Sequence, residues 1–183
     1  MARSGDTEFT EFVIGSHRRL VQLAYLLCGD WHRAEDTVQA AFVRMYVVWP
    51  RIRSTAGLEL YARKTILSTV RDEARRPWRR ERVVRRLPEL LMKDRSREVD
   101  ERLLLVAALR TIPARQRAAV VLRYFVDLSV EETAEVLGCS PGTVKSQTSR
   151  AITALRRTFA ENGRHLSDPD SNHSDVLKET TWK

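Results

Sequence analysis

Residues 129–157 read Ser-Val-Glu-Glu-Thr-Ala-Glu-Val-Leu-Gly-Cys-Ser-Pro-Gly-Thr-Val-Lys-Ser-Gln-Thr-Ser-Arg-Ala-Ile-Thr-Ala-Leu-Arg-Arg, which is the most informative part of the sequence. Ser129 and Glu132 stand at the spacing of a capping box, which predicts that a short helix begins here. Gly138 is expected to end that helix, because glycine adopts the left-handed turn conformation at no steric cost. Ser140 then caps a second helix that has proline at its first position. Two short helices joined by such a turn predict a helix-turn-helix.

The two predicted helices each have a buried side and a polar side. Ala134 is expected where the helices cross, and Val144 is expected to point into their shared core. The outward face of the second helix carries hydroxyl and cationic side chains, which suit the major groove of DNA. These side chains are Thr143, Lys145, Ser146, Ser149 and Arg150. The alternative interpretation is an ordinary helical hairpin with a solvated polar face, but capping box, turn glycine, proline and polar face all agree with a helix-turn-helix.

The chain as a whole is strongly basic. Its 183 residues carry a formal net charge of +8, which indicates a polyanionic partner, most simply nucleic acid. The first residues lack the apolar stretch of a signal peptide, and no apolar run approaches a membrane-spanning length, so we expect a cytoplasmic protein without membrane insertion. Neither Cys28 nor Cys139 has a second ligand at metal-binding spacing. Both are predicted to be small buried side chains, and no metal or cofactor site is expected.

Hydrophobic periodicity predicts an all-α fold of two small helical domains. Residues 8–28, 31–49 and 58–76 repeat apolar side chains at spacings of three and four, which is typical of amphipathic helices that close a bundle. Residues 98–111 and 113–126 form two further helices that join the helix-turn-helix in a second domain.

The second of these helices is predicted to have two distinct faces. Tyr46 is assigned to the buried face, and Trp31 and Trp49 at the two ends are expected to pack in the bundle. The opposite face exposes Asp36 and Gln39.

Domain boundaries follow from changes in composition. The first domain is assigned to residues 1–76 and the second to residues 98–160. Between them, residues 77–97 are highly charged and contain two prolines, which predicts a flexible linker. Residues 161–183 hold too few apolar side chains to fold alone and are predicted to be a disordered tail.

Three separated motifs resemble those of bacterial sigma factors. Residues 34–39, Ala-Glu-Asp-Thr-Val-Gln, are similar to the Ala-Glu-Asp-Leu-Val-Gln run of that family. Residues 112–117 resemble the motif that opens its fourth conserved region, and residues 124–150 look like its promoter-reading helix-turn-helix. The motifs occur in the right order and at the right spacing. Because the chain has room for only two domains and one linker, its architecture is similar to the extracytoplasmic-function (ECF) subgroup of the sigma-70 family.

The resemblance implies partners and site residues, and it implies no catalytic residue. Asp36 and Gln39 would dock on the clamp helices of the β′ subunit of core RNA polymerase, and the β flap is a further contact. Minus-35 promoter DNA would be read by Ser140, Thr143, Lys145, Ser146, Ser149 and Arg150. The short basic loop predicted at residues 51–57 and the third helix would capture and melt the minus-10 element through Arg51, Arg53, Arg63, Lys64, Ser68, Arg71 and Arg75. An anti-sigma factor is a further partner that the resemblance suggests.

The sequence departs from the family pattern in the two motifs of the first domain. Thr37 and Ala40 replace a leucine and an acidic residue in the polymerase-binding motif. Ser68 stands where asparagine is usual, and the resemblance places Ser68 and Thr69 on the face towards the unpaired DNA strand. Of the nearby aromatic side chains, Tyr61 is expected to be a core residue.

Two other classes of function compete with this interpretation. A stand-alone helix-turn-helix regulator with an N-terminal interaction bundle explains the second domain and the charge. It does not explain the motif in the second helix or the basic third helix. An enzyme is disfavoured, because the sequence shows no paired carboxylates in an apolar setting, no Cys/His cluster and no glycine-rich phosphate loop.

Overall fold

The computed structural model describes residues 4–51, 55–75 and 97–161, and this part of the chain is all-α, as predicted. Its α-helices are α1 (Ser4–Cys28), α2 (Trp31–Val48), α3 (Thr55–Arg75), α4 (Arg97–Thr111), α5 (Ala114–Val120), α6 (Val130–Leu137) and α7 (Pro141–Glu161). A 3₁₀ turn at Trp49–Arg51 follows α2, and a π-helical segment at Val121–Phe125 continues α5. Among these helices, none combines the length and the apolar composition that crossing a membrane requires.

Some helix limits differ from those predicted. α1 begins at Ser4 rather than near residue 8, and α3 begins at Thr55, so that residues 55–57 are helical and not part of a loop. The predicted helix over residues 113–126 divides into α5 and the π-helical segment. Most of the predicted linker and nearly all of the predicted tail lie outside the described residues.

The first three helices form one bundle, here called the first module. Asp30 caps α2, because its carboxylate accepts a hydrogen bond from the backbone N–H of Arg33 at 2.9 Å. α1, α2 and α3 all contact one another, and the most deeply buried large side chains of the bundle include Val38, Met45 and Ile66.

Aromatic side chains close one end of this bundle. Phe9 packs edge-on against Trp49 with ring centroids 5.0 Å apart, which confirms a packing role for Trp49. Tyr46 also lies edge-on to Phe9, but it is 52% exposed, so its assignment to the buried face was wrong. It covers the rim of the core, and its hydroxyl hydrogen-bonds the Asp6 carboxylate at 3.1 Å. At the other end of α2, Trp31 packs edge-on against Tyr25 yet remains 42% exposed.

Helices α4 to α7 form the second module, which contains the helix-turn-helix. Both halves of the capping box are present: the Glu132 backbone N–H donates to the Ser129 hydroxyl at 3.1 Å, and the Ser129 backbone N–H donates to the Glu132 carboxylate at 2.7 Å. Gly138 adopts the left-handed conformation with φ 63°, as predicted. Ala134 and Val144 are buried between α6 and α7, which confirms the predicted crossing.

The two modules pack against each other. α1 contacts α4, α5 and the π-helical segment, and α3 contacts α6. One continuous hydrophobic cluster contains buried side chains of both modules. Val21 and Leu26 of α1 are 2% and 3% exposed although they lie outside the predicted apolar stripe. That stripe consists of Phe9, Phe12, Val13, Leu20, Leu23, Ala24 and Leu27. α1 is therefore buried on more sides than a surface helix of a separate bundle would be.

Candidate functional site

The second helix of the helix-turn-helix, α7, presents its first turns to solvent. The Ser140 hydroxyl accepts the backbone N–H of Thr143 at 3.2 Å, and the two hydroxyls lie 2.9 Å apart. The Ser146 hydroxyl donates to the Thr143 carbonyl at 3.0 Å. These hydroxyl groups therefore hold the first turn of the helix in place. Within the described part of the chain, Lys145 and Arg150 are exposed and have no hydrogen-bond or ion-pair partner.

The candidate DNA-reading side chains of α7 divide into two neighbouring stripes. Thr143, Ser146 and Arg150 follow one another at spacings of three and four and so share one stripe. Lys145 and Ser149 form the second stripe, which lines an open groove of about 380 Å³.

That groove brings in residues that the sequence analysis missed. Arg123 and Tyr124 line it from the π-helical segment, and Arg156 lines it from α7. Together with Lys145, the two arginines make one positively charged opening beside the recognition helix. Arg156 lies further along the stripe of Lys145 and Ser149, so helical spacing could have identified it. No local signal identifies Arg123, because the fold brings it from a separate segment.

The candidate minus-10 residues of α3 are largely engaged with carboxylates or backbone. Arg63 lies 2.7 Å from the Glu59 carboxylate, which also binds Arg19 at 3.1 Å. Lys64 reaches across to the second module, where its ammonium nitrogen lies 3.2 Å from the Glu135 carboxylate of α6. The Ser68 hydroxyl donates to a backbone carbonyl one turn earlier at 2.8 Å. This face is thus less available than the face of α7.

The remaining candidates of this group differ in what the structure describes. Arg51 and Arg71 are exposed and have no partner among the described residues. Arg53 lies outside the described residues. Arg75 is the last residue of α3, but its side chain is not among those described.

Two side chains of α3 face the interior of the first module. Thr69 is 7% exposed and accepts a hydrogen bond from the Arg44 guanidinium at 3.2 Å. The expectation that it faces the unpaired strand was therefore wrong, because its hydroxyl ties α3 to α2. Tyr61 is half-buried against the hydrophobic cluster, which confirms its expected place in the core.

An exposed stripe runs along α2. Asp36 and Gln39 lie on it, and Val43 and Val47 continue it, with 68% and 74% of their surface exposed. The sequence analysis missed these two valines, although their spacing from Gln39 places them on the same side of the helix. Thr37 is only 1% exposed, so the replacement of leucine at that position changes the interior and leaves this outer face unaltered.

The cysteines and the other potential metal ligands of the described residues are not gathered into one site. Within the described chain, Cys28 and Cys139 form no disulfide, and both are half-buried where small buried side chains were predicted. Among the described residues, no group of His, Cys, Asp and Glu side chains is arranged to hold a metal ion.

Comparison with known sequences links both modules to one family. The family described as Sigma-70 region 2 matches residues 13–80, and the family described as Sigma-70, region 4, matches residues 102–155. The RNA polymerase sigma-E factor of Streptomyces coelicolor is 37% identical over 150 residues, which cover 81% of this chain and 84% of that protein. The ECF RNA polymerase sigma factor SigM of Mycobacterium tuberculosis is 30% identical over 142 residues, which cover 77% of this chain and 71% of that protein.

Solved structures share the fold. The sigma factor RpoE from Bartonella quintana, solved in complex with the anti-sigma factor NepR, has a TM-score of 0.61 and 24% identity, and the match covers 84% of this chain and 97% of that chain. CnrH, solved in complex with the cytosolic domain of CnrY, has a TM-score of 0.63 and 21% identity, and the match covers 86% of this chain and 90% of that chain.

The first module matches Sigma-70 region 2 and the second matches region 4, in that order along the chain, and a stand-alone regulator would need only the second. The chain therefore belongs to the extracytoplasmic-function group of the sigma-70 family and is an RNA polymerase sigma factor.

Proposed function

We propose that this sigma factor binds core RNA polymerase through α2, reads the minus-35 element with α7 and holds the minus-10 element with α3 and the turn before it. The observation that carries the proposal is the exposed face of α7, where Lys145 and Arg150 have no partner among the described residues. A preformed helix with unpaired cations on its outer face is ready to bind the major groove.

In the minus-35 complex, each side chain of α7 has a distinct role. Arg150 can donate two hydrogen bonds to one guanine, whereas Lys145 acts as a point charge on a phosphate. Ser149 lies one turn after Lys145 and can hydrogen-bond a base or a phosphate. Ser140 caps α7 and so orients its first N–H groups, which favour a phosphate at that end. Arg123, across the groove, extends the positive surface along the DNA backbone.

In the minus-10 complex, cationic side chains hold the backbone of an unpaired strand. Arg51 and Arg71 are exposed and free to do so within the described chain. Arg63 and Lys64 would exchange their carboxylate partners for phosphates. Arg53, Ser68 and Arg75 complete the proposed set.

The polymerase-binding surface is the stripe of Asp36, Gln39, Val43 and Val47. A stripe that combines polar and apolar side chains suits a helix-to-helix interface, and we assign it to the β′ clamp helices. The β flap would bind the second module. Because the Bartonella relative was solved with an anti-sigma factor, we include an anti-sigma factor among the partners of this chain.

The division of the chain follows the same scheme. The polymerase and minus-10 module spans residues 1–76, the linker residues 77–97, the minus-35 module residues 98–160 and the tail residues 161–183. The protein acts by binding and not by catalysis, in the cytoplasm, where it meets polymerase and promoter DNA.

The test is transcription with purified core polymerase on a pool of bacterial genomic fragments. We expect new transcripts only when both the chain and core are present, and we expect their start sites to share one pair of upstream elements. A chain that shifts promoter duplex by itself and starts no transcript would contradict the proposal and support a stand-alone regulator.

The α2 surface has its own test. Asp36→Arg replaces an anion of the stripe by a cation and should weaken core binding by about tenfold, because a surface that accommodates a carboxylate at this position disfavours a cation there. Glu11→Arg makes the same charge change on the exposed side of α1 and should leave core binding unchanged. Equal affinity of the two variants in a competition assay against a labelled sigma factor would show that α2 is not the docking surface.

A further inference from the structure

The contact between α3 and α6 joins opposite charges of the two modules. The Lys64 ammonium lies 3.2 Å from the Glu135 carboxylate, and the two side chains are 42% and 58% exposed. α6 also carries Glu131 and Glu132 on exposed positions. The pKa of Glu132 is lowered, first by its hydrogen bonds with Ser129 and in part by the nearby Arg63 guanidinium. An acidic side of α6 thus faces a basic side of α3.

A second contact closes the other side of the module interface. Arg110 of α4 lies over the turn after α1, where a β-carbon added to Gly29 would be 2.4 Å from the Arg110 Cδ atom. Tyr25 of the first module and Arg117 of the second are both half-buried here, and this burial raises the pKa of Tyr25 and lowers the pKa of Arg117.

The two contacts have different physical roles. An exposed ion pair contributes little on its own, since its charges remain largely solvated. The apolar burial where α1 contacts the second module therefore supplies most of the attraction between the modules. The ion pair is directional, so it selects the orientation in which α6 lies on α3.

That orientation affects the proposed minus-10 surface. While Lys64 binds Glu135, that carboxylate competes with a DNA phosphate for the same ammonium, and a DNA strand laid along α3 would meet the carboxylates of α6. We propose that, in the free chain, the acidic side of α6 occupies the basic side of α3 in place of DNA phosphates, so that the two modules hold each other closed. This inference rests on the proposed assignment of Lys64 to the minus-10 element.

The first experiment looks for the contact in the intact chain. A carbodiimide joins an amine to a carboxylate only when the two groups touch, and mass spectrometry identifies the joined peptides. We expect a Lys64–Glu135 crosslink in the free chain and its loss when core polymerase is added. Absence of the crosslink from the free wild-type chain would overturn the inference.

The second experiment measures whether the contact hides α3. The probe is a fluorescent single-stranded oligonucleotide of mixed sequence, titrated with the full chain without polymerase. Glu135→Lys should bind the probe about two- to fivefold more tightly than Glu131→Lys, which makes the same charge change on the same helix at a position that has no ion pair with the described side chains of α3. Equal affinities for the two variants would overturn the inference.

A charge swap separates closure from added charge. Lys64→Glu combined with Glu135→Lys restores an ion pair of reversed polarity and should restore the crosslink between the two positions. If the swapped chain shows no crosslink while the wild type does, orientation is not set by this pair and the inference is wrong. These measurements contain no promoter and no transcription step. They can therefore fail while transcription with core polymerase succeeds, and transcription can fail while they succeed.

Discussion

The first module (region 2) and the second module (region 4) of this sigma factor differ in whether the cationic side chains proposed to bind DNA already have protein partners. In region 4, Lys145 and Arg150 extend from a capped helix and have no partner within the described chain. In region 2, Arg63 and Lys64 bind the carboxylates of Glu59 and Glu135. The proposed minus-35 surface is therefore preformed, whereas part of the proposed minus-10 surface must first release carboxylates.

This difference matches the two tasks. Duplex DNA keeps its shape when it is read in the major groove, so a rigid helix with fixed cations serves it well. An unpaired strand exists only after the duplex opens, and its capture can be coupled to a change in the protein. A region 2 surface that is exposed only in the open chain would make that capture conditional on opening of the modules.

The largest expected effect concerns the free cation of region 4. Arg150→Ala should cost about 1–3 kcal/mol of promoter discrimination at one base pair, because it removes a possible bidentate contact with guanine. Transcription from a set of single-base changes in the upstream element measures this. Arg157→Ala removes the same side chain two turns further along α7 and should leave the profile intact. If Lys64→Ala reduced transcription more than Arg150→Ala does, the proposed difference between the two surfaces would be reversed.

An intermediate effect concerns the turn that orients α7. Gly138 has φ 63°, and a β-carbon there would meet nothing within 4 Å, so a substitution is penalised by backbone strain alone. Gly138→Val should cost about 1–2 kcal/mol of stability, whereas Gly138→Asn should be nearly neutral, because asparagine tolerates this conformation. Thermal unfolding followed by circular dichroism compares the two. Equal losses would mean that side-chain volume, and not φ, limits this position.

The turn at Gly29 in region 2 also has a left-handed glycine, but its surroundings differ from those of Gly138. Gly29 has φ 72°, but a β-carbon there would lie 2.4 Å from Arg110 of region 4. Gly29→Asn should therefore displace Arg110 and loosen the module interface even though asparagine tolerates the backbone. Loss of the Lys64–Glu135 crosslink in Gly29→Asn, but not in Gly138→Asn, is the expected result.

The smallest expected effect is acid sensitivity of the α6 cap. Hydrogen bonds with Ser129 lower the pKa of Glu132 below its usual value of 4.5. Because the folded pKa lies below the unfolded one, this contribution to stability is fully present above about pH 4.5 and is lost as the pH falls below it. Glu132→Gln keeps a hydrogen-bonding side chain and carries no titrating charge. The difference in melting temperature between wild type and Glu132→Gln should shrink from pH 7 to pH 3, and a constant difference would contradict this.

Local sequence determined the helix-turn-helix and the class of the protein. The capping box of Ser129 and Glu132, the left-handed Gly138 and the Ser140 cap all act between residues a few positions apart, so their geometry can be predicted from spacing alone. The same holds for the exposed positions of Asp36 and Gln39 on α2. The family motifs depend on these short spacings, which explains why the resemblance identified both modules correctly.

Which helix faces pack against each other depends on the tertiary structure. A helical period shows that a face is apolar but not what covers it, so Val21 is buried outside the predicted stripe and Tyr46 is exposed within it. Lys64 and Glu135 lie 71 positions apart, and no spacing rule reaches that far. Their meeting depends on how α1 and α3 of one module pack against the helices of the other. Closure of the two modules therefore depends on long-range packing. The residues proposed to bind DNA in each module, in contrast, can be identified from short stretches of the chain.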